Sequence, residues 1–213
     1  SDSTRMNRLK VTPWQAVKLI DIGYDGGDGG GNLPYVPDQQ VSFVKNIHLV
    51  NDSLKQWCSS YNLLDSLNFD NFTNLETIEC FRSYMVSKVS LKNTPKLKRL
   101  CLEDNNLSSF DISESISLED IRGAVNNYPE INFSNSTEEF WHICVRDNPQ
   151  VTNDSLFAHM ERFPNIAELF IWNMNQSGTF RMAQNNLTRN VQLLCDGNRY
   201  ASLDLRGSLQ NEN

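Results

Sequence analysis

Apolar residues recur along this chain in copies of 21 to 26 residues that share one internal spacing. Counted from Leu97, a copy has apolar residues at its first, fourth and sixth places and often Asn at its ninth. Seven copies follow in this register, beginning at Leu54, Leu75, Leu97, Leu118, Phe140, Ile166 and Asn190. This pattern predicts a solenoid, because one short unit cannot bury its own apolar face and must stack on its neighbours.

The fourth and sixth places alternate as in a short strand whose apolar side chains point inward. The inward pairs include Ile78 and Cys80, Leu100 and Leu102, Ile143 and Val145, and Leu169 and Ile171. The Asn at the ninth place is expected to bond backbone groups that the following turn leaves unpaired. Ser83 and Met174 interrupt this row of asparagines, so differently built turns are expected there.

The repeat resembles the leucine-rich-repeat superfamily, in particular the short 21–22-residue units of internalin-like secreted bacterial proteins. The resemblance covers about residues 54 to 206 and is strongest in segments 62–67 and 105–112. It implies an α/β repeat solenoid, a right-handed stack with a parallel β-sheet on the concave face. The convex face is expected to contain mostly turns and a few helices, one of them near residues 154–163, closed by Pro164.

Residues 1–43 do not follow the repeat. Segment 12–22 predicts a short helix with Thr12 as its cap and Pro13 in its first turn, and the glycine-rich segment 25–32 predicts a connector. The aspartates of that connector lack the spacing and terminal Glu of an EF-hand, so no metal site is predicted. Segment 41–50 predicts a strand that caps the open end of the solenoid. The predicted domains are 1–43, the helix and connector; 44–206, the solenoid with its capping strand; and 207–213, a C-terminal tail.

Composition narrows the classes of partner. A net charge of −7 and a pI near 5.0 argue against nucleic acid, which needs a concentrated cationic face. No apolar stretch is long enough to span a membrane. The five cysteines include no C-x-x-C pair, and their odd number excludes a complete disulfide framework. Cys58, Cys101 and Cys144 share an outward place two copies apart, beyond disulfide reach, and are expected to be free thiols.

In the fold that the resemblance implies, the second, third, fifth, seventh and eighth places line the concave sheet. The richest combination falls on the fifth and sixth copies. The candidate binding residues there are Trp141, His142, Arg146, Asp147, Phe170, Trp172 and Asn173. Exposed aromatic residues beside an arginine are typical of a protein interface, whereas tryptophans can equally stack on sugar rings. A third interpretation is that these side chains only pack against a loop or against one another.

The charged outward residues of the middle copies are expected to form a solvated ladder of cross-strand pairs. His142 and Cys144 share one face of a strand, but no third catalytic group is evident, so neither an enzyme nor a cofactor is predicted. The predicted function is non-catalytic recognition of a protein partner, with carbohydrate binding as the alternative.

The resemblance also implies an extracellular, cell-surface or periplasmic bacterial protein. Because the sequence begins at Ser1 rather than Met, a removed leader or a lipid anchor before it stays open.

Overall fold

The computed structural model describes residues 8–11, 19–21, 46–49, 54–60, 64–132, 139–151, 165–181 and 192–204. The strands in these ranges are β1 (Arg8–Val11), β2 (Leu19–Asp21), β3 (Asn46–Leu49), β4 (Gln56–Cys58), β5 (Ser66–Asn68), β6 (Thr77–Glu79), β7 (Lys88–Ser90), β8 (Arg99–Cys101), β9 (Phe110–Asp111), β10 (Asp120–Arg122), β11 (Ile131–Asn132), β12 (His142–Cys144), β13 (Glu168–Phe170), β14 (Ser177–Arg181), β15 (Gln192–Leu194) and β16 (Arg199–Asp204).

Within the described ranges, eight parallel strands form one long sheet, in the order β2, β4, β6, β8, β10, β12, β13 and β15. From β4 onward, these strands occupy the third to fifth places of the seven repeat copies. Residues at equal places pair across neighbouring strands, as in the fifth-place row from Cys58 through Glu79 to Cys101. The parallel solenoid and the register predicted from the repeat are therefore confirmed.

The N-terminal strands differ from what the sequence predicts. Leu19–Asp21 falls at the end of the predicted helix but forms β2, which pairs with β4 at the edge of the long sheet. The helix prediction is wrong for these residues, because so short an apolar run has no period that separates helix from strand. β3 lies inside the predicted capping segment, but it pairs with β1 in a separate two-stranded sheet. Segments 12–18 and 25–32 lie outside the described residues, and the division at residue 44 stays a prediction.

Short strands also form the second side of the solenoid, where the sequence predicts mostly turns. They pair as β5 with β7, β9 with β11 and β14 with β16. The described ranges contain no helix, and the helix predicted near residues 154–163 lies outside them. Alternation explains these strands, since Leu67 and Phe110 are buried while their strand neighbours Ser66 and Asp111 are exposed.

The core lies between the long sheet and the second side. The inward residues of the fourth and sixth places are buried in the first six copies, as predicted, for example Leu100, Leu102 and Ile143, whereas Leu193 and Cys195 of the last copy are only partly buried. At the sixth place of its copy, Gly123 leaves room for two rings, because a Cβ there would lie 2.8 Å from a ring carbon of Phe110 and 2.9 Å from the hydroxyl of Tyr128.

An asparagine ladder follows the ends of the strands of the long sheet. It consists of the side chains of Asn105, Asn126, Asn148 and Asn198, each of which donates to carbonyls of its own turn and of the preceding turn. Where the row is interrupted, the Ser83 hydroxyl donates to the Ser59 carbonyl at 3.2 Å. Beside Met174, the Gln176 amide donates to the Val151 carbonyl at 2.5 Å. In these two turns, the side chains of Ser83 and Gln176 therefore bond backbone carbonyls in place of an asparagine.

The eighth place of each described copy has left-handed backbone. Its residues are Arg82, Asp104, Val125, Asp147, Asn173 and Gly197, with φ between 52° and 65°. This conformation keeps the backbone in register past the end of the strand, since Asp147 N–H donates to the Trp172 carbonyl at 3.0 Å. Val125 is β-branched and therefore strained in this conformation.

Candidate functional site

The candidate site lies on the outer face of the long sheet, over β12 and β13. It contains an aromatic row, the rings of Trp141, His142, Phe170 and Trp172. The centroid distances are 5.4 Å from Trp141 to His142, 5.4 Å from His142 to Phe170 and 5.8 Å from Phe170 to Trp172. The repeat register explains the row, because His142 and Phe170 occupy the outward third and fifth places of neighbouring strands.

Arg146, Asp147 and Asn173 extend the aromatic row beyond the strand ends. The guanidinium carbon of Arg146 lies 4.9 Å from the ring centroid of Trp172, and its Nη1 pairs with the carboxylate of Asp147. The Asn173 amide donates to the other oxygen of Asp147 at 2.9 Å. Asp147 and Asn173 both occupy the left-handed eighth place, which brings them together on adjacent turns.

The structure thus brings all seven candidate residues into one continuous cluster, although they are not equally accessible. Trp141 is 37% exposed, whereas His142 is only 3% exposed. The side chains pack against one another, as one of the three interpretations of the sequence requires. Their role in binding stays a prediction.

His142 belongs to a buried network centred on the carboxylate of Asp120. Its Nδ1 lies 2.6 Å from Oδ1 of Asp120, which also pairs with Nε of Arg122 at 3.2 Å. Oδ2 of Asp120 faces Nε of Arg99 at 3.6 Å, and Arg99 reaches Glu79 at 3.4 Å. Because Asp120 is only 4% exposed, the expected solvated ladder is wrong at this position. A buried carboxylate stays charged only with such compensating partners.

This network determines which nitrogen of His142 carries a hydrogen. Burial by itself raises the pKa of Asp120, but the hydrogen bond from His142 and the charge of Arg122 outweigh it and lower the pKa below its ordinary value of 3.8. Asp120 is therefore an ionised acceptor at neutral pH, so Nδ1 of His142 donates to it. In the neutral ring, Nε2 is then an acceptor, and this buried atom has no hydrogen-bond partner. Oε2 of Glu168 lies 3.9 Å from it.

All five cysteines are free thiols, as predicted for Cys58, Cys101 and Cys144. Cys80 is completely buried and Cys195 only partly so. Burial, together with the nearby carboxylate of Glu103, raises the pKa of Cys144 to about 12. Its Sγ lies 3.7 Å from Glu103, while His142 bonds Asp120, so the arrangement does not activate the thiol as a nucleophile.

Elsewhere on the outer face, charges of opposite sign do pair between turns. The second-place residues Lys98 and Glu119 meet at 2.9 Å, and Lys55 pairs with Glu76 in the same way two turns earlier. These pairs are half-exposed, which agrees with the predicted ladder of cross-strand pairs.

Sequence reasoning missed the coupling of His142 to Asp120 and to Glu168. The repeat register contains the signal, since these residues occupy the third place of three successive copies. Sequence alone does not reveal their burial, which depends on the bulky neighbours on both sides. Glu103 was missed as a partner of Cys144, because the two residues lie two turns apart along the solenoid.

Within the described ranges, no group of three or more His, Cys, Asp or Glu side chains is arranged to hold a metal ion. No helix in the same part of the chain is long and apolar enough to cross a membrane. Comparison of the chain with protein-family models and with curated proteins found no match.

Proposed function

We propose that this chain is a non-catalytic recognition module that binds a protein partner through the outer face of the long sheet. The observation that carries the proposal is the continuous cluster formed by the aromatic row with Arg146, Asp147 and Asn173. Its rings and charges are held by neighbours on adjacent turns, so little side-chain entropy remains to be lost on binding. Tryptophan and arginine in such a setting are the side chains that dominate protein interfaces.

We further propose that the solenoid is a right-handed leucine-rich-repeat stack whose long sheet forms the concave face. The inward fourth and sixth places and the asparagine ladder support this assignment, because both recur in register along the chain. With it goes the proposal of a secreted or surface-anchored bacterial protein, found at the cell surface, outside the cell or in the periplasm. That location rests on the resemblance of the repeat alone.

Carbohydrate binding is the second candidate, and exposed Trp141 favours it, since an indole face suits the C–H surface of a sugar. Trp172 is less suited to this role, because Arg146 already lies over its ring and Phe170 packs against it. A platform of two free tryptophan faces is therefore not available. This packing favours the protein partner.

Affinity capture with variants of the chain as immobilised baits tests the proposal. A specific partner should be retained by the wild-type chain and by Ile116→Ala, an exposed apolar residue outside the aromatic row. Trp141→Ala and Phe170→Ala should lose it, as should Arg146→Ala, which removes the charge over Trp172. Circular dichroism of each bait checks that the fold is intact.

A glycan array with the same variants separates the two candidates. Saturable glycan binding that disappears in Trp141→Ala would establish the carbohydrate alternative. Capture that is equal in the wild-type chain and in all three cluster variants would place the interaction elsewhere and refute the proposed surface.

A further inference from the structure

Trp141 is an exposed aromatic residue, and its neighbours on the two adjacent turns are glutamates with half-exposed side chains. The backbone N–H of Trp141 donates to the Glu119 carbonyl at 3.0 Å, and the backbone carbonyl of Trp141 accepts from the Glu168 N–H at 2.9 Å, so Glu119 and Glu168 are its neighbours on adjacent turns. Their side chains are 39% and 41% exposed. The face of an indole ring attracts cations, and a nearby carboxylate strengthens that preference.

The atoms beneath Trp141 are acceptors as well. The His142 ring lies at a 30° angle to the indole, and in the neutral ring its Nε2 is an acceptor without a partner, because Nδ1 donates to Asp120. Oε2 of Glu168 lies 3.9 Å from this Nε2. The indole, the Glu168 carboxylate and the Nε2 edge of His142 thus lie together, and the indole face and the carboxylate both favour a donor with positive charge.

The neighbouring turn contains an internal example of the same chemistry. There the guanidinium of Arg146 lies over Trp172 and pairs with Asp147. In the part of the chain that the structure describes, no cation lies over the ring of Trp141. One tryptophan–carboxylate combination is therefore filled by the chain itself, and the other is open to a partner.

We propose that the Trp141 surface, formed by Trp141, Glu168 and the Nε2 edge of His142, binds a lysine or arginine side chain of the protein partner. This inference rests on the proposed function, and it specifies the chemistry of the partner. The net charge of −7 adds a long-range attraction for a basic segment. Because Nε2 is buried, the cation contacts the indole face and the Glu168 carboxylate, and Nε2 lies behind them at the edge of the surface.

Fluorescence polarisation with defined peptides tests the inference. The probes are labelled peptides that repeat Gly-Ser-Arg, and matching peptides with lysine, citrulline or glutamate in place of arginine. Only the arginine and lysine peptides should bind, because citrulline keeps the shape of arginine without its charge. Trp141→Ala and Glu168→Gln should each weaken the arginine peptide about threefold to fivefold. Glu130→Gln, an exposed carboxylate on the loop before β11, loses the same charge and should leave affinity unchanged.

Glu168→Gln is a suitable variant because the Glu168 side chain is at the surface. Equal binding of the citrulline peptide, or equal weakening by Glu130→Gln and Glu168→Gln, would overturn the inference.

The outcome also separates this inference from the proposed function. If the captured partner depends on Trp141 but the basic peptides do not bind, the recognition surface stands and the cation inference is wrong. If a glycan binds through Trp141 instead, both the protein partner and the cation are wrong.

Discussion

Replacing Asn148 by alanine removes a completely buried amide that joins two turns of the solenoid. The carbonyls of Gly123, Val145 and Arg146 lie 2.8 to 3.0 Å from its Nδ2 and the Tyr128 hydroxyl lies 3.1 Å from it, so these acceptors share the two hydrogens of the amide. Its Oδ1 accepts from the N–H of Asn126 at 3.0 Å. Alanine can replace none of these contacts, and the site is closed to water.

The magnitude follows from the groups that lose a partner. The Asn126 N–H and the Val145 carbonyl are most affected, since the Gly123 carbonyl still accepts from Tyr128 and the Arg146 carbonyl from Val125. Each buried polar group left unsatisfied costs roughly 1–3 kcal/mol, so for these two groups we expect a loss of about 2–6 kcal/mol in the free energy of unfolding. Asn148→Asp should cost more, because its carboxylate would face carbonyl oxygens that now accept from the amide.

Urea unfolding followed by circular dichroism measures this loss. The matched control is Asn127→Ala, an exposed asparagine in the same segment as Asn126, for which we expect a change below about 0.5 kcal/mol. The free energies of unfolding of the two variants can be compared where their slopes against urea concentration equal that of the wild-type chain, since a different slope indicates a different unfolding transition. Equal stabilities of Asn148→Ala and Asn127→Ala would refute the assigned role of the asparagine ladder.

Three other predictions concern backbone strain, acid stability and thiol reactivity. Val125 has φ of 54° at a place where three other copies have Asp or Asn, so Val125→Asn should stabilise the chain by about 1 kcal/mol in urea unfolding, and an unchanged midpoint would contradict the assigned strain. Because the folded pKa of Asp120 is lowered, its ionised form stabilises the fold above pH 3.8, and this contribution is lost as the pH falls through the folded pKa. Melting temperatures should therefore decline less steeply on acidification in Asp120→Asn, and parallel declines would show that Asp120 is not a source of acid lability. Alkylation followed by mass spectrometry should modify Cys58, which is partly exposed, well before Cys144, whose burial and raised pKa suppress the thiolate; equal rates in the folded protein would contradict this order.

The repeat register was predictable because buried places tolerate few residue types. Apolar residues at the fourth and sixth places predicted the strands of the long sheet from β4 onward, and all of them are present. The N-terminal segment lacks such a period. Leu19–Asp21 is therefore ambiguous in the sequence, and pairing with β4 makes it a strand.

The sequence predicted which residues of the candidate site lie near one another, but not how exposed each side chain is. Equal places in neighbouring copies lie side by side, so the proximity of His142 and Phe170 follows from counting. The exposure of a side chain does not follow from its place in the repeat, because it depends on the sizes and orientations of the surrounding side chains. Trp141 and His142 are adjacent in sequence and both face outward, yet one is exposed and the other buried.

The sequence by itself determined the parallel solenoid, its register, the inward residues and the turns closed by asparagine. These features repeat along the chain, and the hydrogen bonding of the backbone permits few other conformations for each repeat. Only the tertiary structure decided that Asp120 and His142 are buried together, that Arg146 covers Trp172, and that Trp141 remains open between Glu119 and Glu168. The physical reason is that these contacts join side chains of different turns, whose packing and charge compensation exist only after the turns have stacked.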